Sequence, residues 1–122
     1  MKKRDTTVRN KLKEGGIYAI TVKGKPIYIG STTRPFKERF EEHKEGIESH
    51  SSHLKLYKEM TDDERENYKF KILVDIAKAK YTRKPSGLNY YELQWIELGF
   101  IMAFQPKYNL AGLTTDFIFR TW

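Results

Sequence analysis

The sequence predicts an α/β domain of the α+β kind, a small three-stranded antiparallel sheet flanked by helices, and three observations carry that expectation. Residues 16–22 and 26–29 are β-rich runs (Ile17, Tyr18, Ile20, Val22; Ile27, Tyr28, Ile29) separated by Lys23-Gly24-Lys25, which reads as a hairpin. Residues 68–76 alternate Tyr68, Phe70, Ile72, Val74 and Ile76 with Lys69, Lys71, Leu73 and Asp75, the period-2 pattern of a strand with one buried face. Asn89, with Glu92 three residues later, resembles a capping pair that opens a long apolar helix to about Ala103, stopped by Pro106.

The remaining elements follow in chain order. Residues 1–13 form a basic arm with Val8 and Leu12 as its apolar points and outside the core. Thr32 or Thr33 can cap a helix starting near Pro35 and running to about Glu45, where Gly46 weakens it; Ser51 or Ser52 can cap a shorter helix through Leu54, Leu56, Tyr57 and Met60. Residues 61–67 read as an acidic, solvated connection, residues 77–86 as a basic loop, and residues 114–122 as a short strand or edge. A chain of 122 residues makes one core. The expected layout is a basic arm over 1–14, the domain over 15–110 and a C-terminal extension packed on it over 111–122.

Composition removes several function classes. The chain has no cysteine, which excludes disulfide scaffolds, thiolate metal sites and a catalytic thiol. No apolar run reaches the roughly 18 residues of a membrane span, and the charged start has no apolar signal-peptide core, so a soluble, cytoplasmic protein is expected. The net charge of +7 is segmented: residues 1–14, 15–34 and 67–85 are basic, whereas 35–66 are acidic. A surface polarised in this way suits a phosphate backbone.

Certain polar residues fall where helical periodicity wants apolar ones. At about 100° per residue, Phe36, Phe40 and Ile47 share a stripe, and Arg39 and His43 lie on or beside it while the other charges lie opposite. An arginine at the margin reaching solvent and a hydrogen-bonded core histidine would satisfy the pattern without any function. On the C-terminal helix, Leu88, Trp95, Ile96, Gly99 and Ala103 are read as sharing a face with Glu92, with Gln94 and Glu97 opposite. An inward Glu92 needs a partner, either Arg39 or a divalent ion held by one carboxylate and phosphate oxygens.

Gly16-Ile17-Tyr18 and Tyr28-Ile29-Gly30, with ten residues from tyrosine to tyrosine, are followed by Arg39-Phe40-Glu41-Glu42-His43, His50-Ser51-Ser52, Glu92-Leu93-Gln94-Trp95-Ile96 and Tyr108-Asn109. This ordered set resembles the GIY-YIG nuclease family over roughly residues 15–110. The resemblance implies a divalent-metal-dependent endonuclease that hydrolyses DNA phosphodiester bonds to a 5′-phosphate and a 3′-hydroxyl. Mg²⁺ or Mn²⁺ is the implied cofactor and Glu92 the implied metal ligand. It further implies that Arg39 stabilises the phosphorane charge, Tyr18 activates water, Tyr28 positions water or phosphate, and Asn109 orients the glutamate or bonds a phosphate. His43 could take or relay the Tyr18 proton.

Either His50 or His53 could contact DNA or merely cap the second helix, and a His43/His50/His53 zinc site fits no common spacing. Lys23, Lys25, Arg34, Lys69, Lys71, Arg83 and Lys84 are the expected backbone-holding cations, which position without selecting sequence. With about a dozen residues beyond each end of the matched region, little sequence recognition is expected; a homodimer, a partner protein or DNA shape would supply it. A non-catalytic DNA-binding module with the same fold, or the catalytic fragment of a larger modular endonuclease, is the alternative.

Overall fold

The computed structural model describes residues 12–78 and 88–110. Most of the basic arm, the loop segment with Arg83 and Lys84, and the C-terminal extension with its expected strand lie outside the described residues.

Strand β1 (Gly16–Val22) is the central strand of a three-stranded antiparallel sheet, between β2 (Lys25–Thr32) and β3 (Tyr68–Asp75). Lys23 and Gly24 both adopt positive φ (54° and 82°), the conformation of a tight hairpin whose twist matches its strands. Helices α1 (Phe36–Ser49), α2 (Lys55–Glu59) and α3 (Asp62–Asn67) precede β3; α4 (Tyr90–Phe104) and α5 (Lys107–Leu110) follow it. The sheet divides two apolar cores. Ile20 packs with Ile27, Ile47, Leu56, Tyr57, Met60 and Tyr108 in one. In the other, Ile17, Ala19 and Ile29 meet Leu93 and Ile101 of α4. Leu12, expected to stay outside the core, packs against this second cluster and donates its N–H to the Leu88 carbonyl at 2.8 Å.

The expected alternation of β3 fails near its end. Ile17 pairs with Val74 while Tyr18 pairs with Ile72, so Leu73 is an extra residue in a bulge and the facing of the strand switches there. Leu73 and Val74 consequently join the α4 side, and Ile72 is 43% exposed.

Helix α1 continues past Gly46 to Ser49 and ends where His50 turns left-handed (φ 55°). A Cβ at Gly46 would lie 2.3 Å from the Tyr57 ring, so the glycine is the slot that lets α2 dock. Neither Thr32 nor Thr33 caps α1: Pro35 holds the N-cap position without a side-chain bond, and Thr32 Oγ1 accepts from Arg34 N instead. Leu54, not Ser51 or Ser52, occupies the N-cap of α2, and Ser51 Oγ accepts from His53 N.

Residues 61–67, read as a connection, contain α3, opened by a reciprocal capping box between Thr61 and Glu64 with three acidic residues in its first turn. Arg65 on α3 donates to the carbonyls of Met60, Ile47 and Tyr57, which fastens the ends of α1 and α2 together. Among the described residues no helix is long and apolar enough to cross a membrane.

Candidate active site

Two tyrosines of the hairpin stand on the sheet face toward α1. Tyr18 lies opposite Gly30 in the ladder, and Tyr28 opposite Ile20. Gly30 makes their approach feasible, because a Cβ there would come within 2.6 Å of the Tyr18 hydroxyl and 3.0 Å of the Tyr28 ring. Phe36 and Phe40 of α1 pack edge-on against the Tyr18 ring, and Phe40 stacks on Phe70 of β3 at 4.3 Å between centroids. That packing sets the rotation of α1, which carries Arg39 and His43 inward as their spacing predicts.

His43 has no solvent exposure. Its Nε2 lies 2.6 Å from the Tyr18 hydroxyl and its Nδ1 lies 2.8 Å from the Tyr57 hydroxyl. Burial, reinforced by the Arg39 charge, lowers its pKa to about 3, so the imidazole is neutral at physiological pH. Arg39 donates from Nε to the Tyr18 hydroxyl at 3.3 Å and from Nη1 to Glu42 at 2.9 Å. Glu42 also takes a two-pronged bond from Arg34 at 2.8 Å per prong, and these two guanidinium partners hold its carboxyl well below the usual range. Burial raises the pKa of both Tyr18 and Tyr28, and Arg39 offsets part of that at each.

On α4 it is Glu97 that reaches the end of β2. Ser31, one residue past Gly30, donates to Glu97 Oε1 at 2.8 Å, and Gln94 Nε2 donates to Ser31 Oγ at 3.3 Å. Burial raises the Glu97 pKa, and its charge in turn raises those of both hairpin tyrosines. Ser31, Thr32, Thr33, Arg34, Arg39, Tyr90 and Gln94 line a polar cavity of about 290 Å³ beside it.

Glu92, the expected carboxylate, is placed otherwise. Its Oε1 accepts from Asn89 N at 2.9 Å and Asn89 Oδ1 accepts from Glu92 N at 2.9 Å, so the capping pair read from the sequence is present and Glu92 is one half of it. The inward face of the helix differs from the expected one. Trp95, expected inward, is 67% exposed, whereas Leu93 and Ile101 are buried, and Ile96 and Phe100 pack against the same core. Positions 93, 96, 97, 100 and 101 form the buried stripe, and Glu97 is its polar member.

Asn109 meets neither a glutamate nor the cavity. Its Oδ1 accepts from Ile29 N at 2.6 Å and its Nδ2 donates to Ile29 O at 2.8 Å, so the amide acts as one more rung along the open edge of β2. Of the two competing histidines, His53 lines a second cavity, of about 430 Å³, with Arg39, Glu42, Ser51 and Tyr57, while His50 is the exposed C-cap of α1. Lys23 and Lys25 sit at the hairpin tip, five or more residues along the strands from the Tyr18–Gly30 pair, a separation of roughly 17 Å. Lys69 and Lys71 are exposed and pair with Thr21 and Ala19, residues out of phase with the tyrosines. No group of three histidine or carboxylate side chains able to hold a metal occurs among the described residues, so no three-histidine zinc site forms there.

The sequence model of the GIY-YIG catalytic domain matches residues 14–103. The chain belongs to the GIY-YIG family. Two solved structures of the N-terminal endonuclease domain of UvrC from Thermotoga maritima are similar to the chain. One is an asparagine-to-alanine point mutant bound to its catalytic divalent cation, 21% identical, covering 88% of this chain and 97% of that one at a TM-score of 0.44. The other is a tyrosine-to-phenylalanine point mutant bound to the catalytic divalent cation, 20% identical with the same coverage, at a TM-score of 0.38. No curated protein sequence matches the chain. The GIY-YIG triplets supply the two tyrosines and the glycine whose missing side chain lets them meet.

Proposed function

We propose that this domain is a divalent-metal-dependent endonuclease that hydrolyses DNA phosphodiester bonds, leaving a 5′-phosphate and a 3′-hydroxyl. One observation carries the reading: Tyr18, Tyr28, Arg39 and His43 gather on one side of the hairpin, and the carboxylate of Glu97 approaches the same strand end through Ser31. Membership in a nuclease family supports the reaction class.

Glu97 meets the polar cavity through Ser31, and the guanidinium groups of Arg34 and Arg39 in its lining suit a phosphate; one carboxylate with water and phosphate oxygens is the donor set that a hard cation such as Mg²⁺ or Mn²⁺ takes. Glu97, not Glu92, would hold it. When bound, such an ion supplies Lewis-acid polarisation of the phosphate and charge neutralisation at the leaving oxygen.

The protein's own groups do the rest. Arg39 carries a fixed positive charge and a planar donor fork, held in place by Glu42, and stabilises the extra negative charge on a five-coordinate phosphorus. Tyr18 takes the proton of the attacking water while its own proton passes to His43 Nε2, the only partner of its hydroxyl with a lone pair to receive it among the described residues. Tyr28 positions the water or phosphate. Asn109 keeps the β2 edge, and with it Tyr28 and Gly30, in register.

Nicking of supercoiled plasmid with Mg²⁺ or Mn²⁺ tests this. Wild type and Glu92→Gln are expected to nick, because a glutamine keeps the capping bond. Glu97→Gln and Tyr18→Phe should fall by on the order of 10²-fold or more. Equal nicking by all four, or none by the wild type, would sink the proposal.

A further inference from the structure

The hydrogen-bond chain that starts at Tyr18 does not stop at His43. We infer that Tyr57 is the outer station of a proton relay, Tyr18 to His43 to Tyr57, which carries the proton of the attacking water across the protein and out to the cavity lined by Arg39, Glu42, Ser51 and His53. This deepens the nuclease reading and rests on it.

The relay requires one set of bond directions. Arg39 only donates, so it takes a lone pair of the Tyr18 oxygen, and the relay places the Tyr18 proton on the bond to His43 Nε2. A neutral imidazole that accepts at Nε2 carries its proton on Nδ1 and donates it to the Tyr57 oxygen, 2.8 Å away. Tyr57 is buried but forms part of the lining of this cavity, and the relay sends the Tyr57 proton to water there.

A transfer along this line balances at every atom. Water gives a proton to the Tyr18 oxygen as the former Tyr18 proton moves to Nε2. The Nδ1 proton moves to the Tyr57 oxygen, and the Tyr57 proton leaves to cavity water. Hydroxide is left facing the phosphate, both tyrosines are neutral again, and His43 has changed tautomer without ever holding a charge. Neutrality throughout matters here, because burial disfavours both a Tyr18 phenolate and a His43 imidazolium. A stepwise path through either ion would run against that burial.

The position of Tyr57 is built rather than incidental. Its ring fills the slot at Gly46, one turn beyond His43 on α1, and Arg65 Nη2 holds its backbone carbonyl at 2.6 Å. Both ring nitrogens of a fully buried histidine are therefore committed to hydroxyls brought from different elements, β1 and α2.

Tyr57→Phe removes only the hydroxyl and keeps the ring in its slot. The expected result is a kcat for plasmid nicking lowered by on the order of 10²-fold, with KM for DNA within about twofold of wild type. A second measurement needs neither metal nor DNA. The ¹⁵N shifts of His43 in the wild type should show the proton on Nδ1, and in Tyr57→Phe the population should move toward the Nε2–H form. Wild-type kcat in Tyr57→Phe alongside an inactive Tyr18→Phe would overturn the relay and leave the nuclease reading standing. A wild-type His43 resting with its proton on Nε2 would overturn it independently of activity, and a wild type that never cleaves removes both.

Discussion

Acidification of the folded protein must charge His43 where no water reaches it, and the size of that effect can be worked out. The imidazole titrates at about 3 in the folded state against 6.5 in the unfolded chain. Its folded pKa is depressed, so between pH 3 and 6.5 the unfolded chain binds the extra proton and stability falls as pH drops. At pH 5 the gap is about 1.5 units below the unfolded value, which at about 1.36 kcal/mol per unit amounts to a loss of about 2 kcal/mol relative to neutral pH. In a domain of this size that lowers Tm by roughly 10 °C. The assay is denaturant unfolding at pH 7.5, 6 and 5 for the wild type and for His43→Gln. Both proteins share their carboxylates, including the depressed Glu42 and the raised Glu97, so the difference between the two pH slopes isolates the histidine. The wild type should lose about 2 kcal/mol more than the variant between pH 7.5 and 5. Parallel slopes, or an NMR titration of His43 near its ordinary value, would refute the argument that burial keeps this ring neutral.

The remaining predictions concern the glycines and the edge of the sheet. Gly30→Ala places a methyl 2.6 Å from the Tyr18 hydroxyl, so plasmid nicking should be lost while circular dichroism still reports a folded sheet. Gly46→Ala sets a Cβ 2.3 Å from the Tyr57 ring and should cost about 1–3 kcal/mol in chemical denaturation, through overpacking rather than helix propensity, which alone would favour alanine. Asn109→Asp keeps the shape but turns an oxygen toward the Ile29 carbonyl in place of the Nδ2 donor. We expect a loss of about 1–3 kcal/mol at pH 7 and faster hydrogen exchange at the edge of β2, with unchanged exchange along the β1–β3 ladder.

Much of this site is legible along the chain. Hairpin, third strand and long helix each announce themselves by period and punctuation, and the inward pair Arg39 and His43 follows from α1 geometry alone. The capping pair Asn89 and Glu92 is local chemistry and is equally readable. The Thr61 and Glu64 box was visible by the same rule, and an acidic composition masked it. Helix α4 is different. Glu92, Gln94 and Glu97 are its only strongly polar residues, so it is apolar almost all round and its periodicity scarcely distinguishes one face from another. Leu93, Ile96, Phe100 and Ile101, at intervals of three, seven and eight, held the signal that would have exposed Glu97 as the inward charge.

By itself the sequence determined the local elements, the pairing of the two tyrosine triplets and the family, because these depend on neighbours a few residues apart. Tertiary structure alone decided which carboxylate of α4 bonds Ser31 at the end of β2, why Gly46 is tolerated inside a helix, and that Tyr57 closes the far side of His43. Each of these depends on how one element is rotated against another. That rotation is set by interlocking side chains from distant segments, such as Phe40 on Phe70 or Tyr57 over Gly46, and no period within a single segment encodes it.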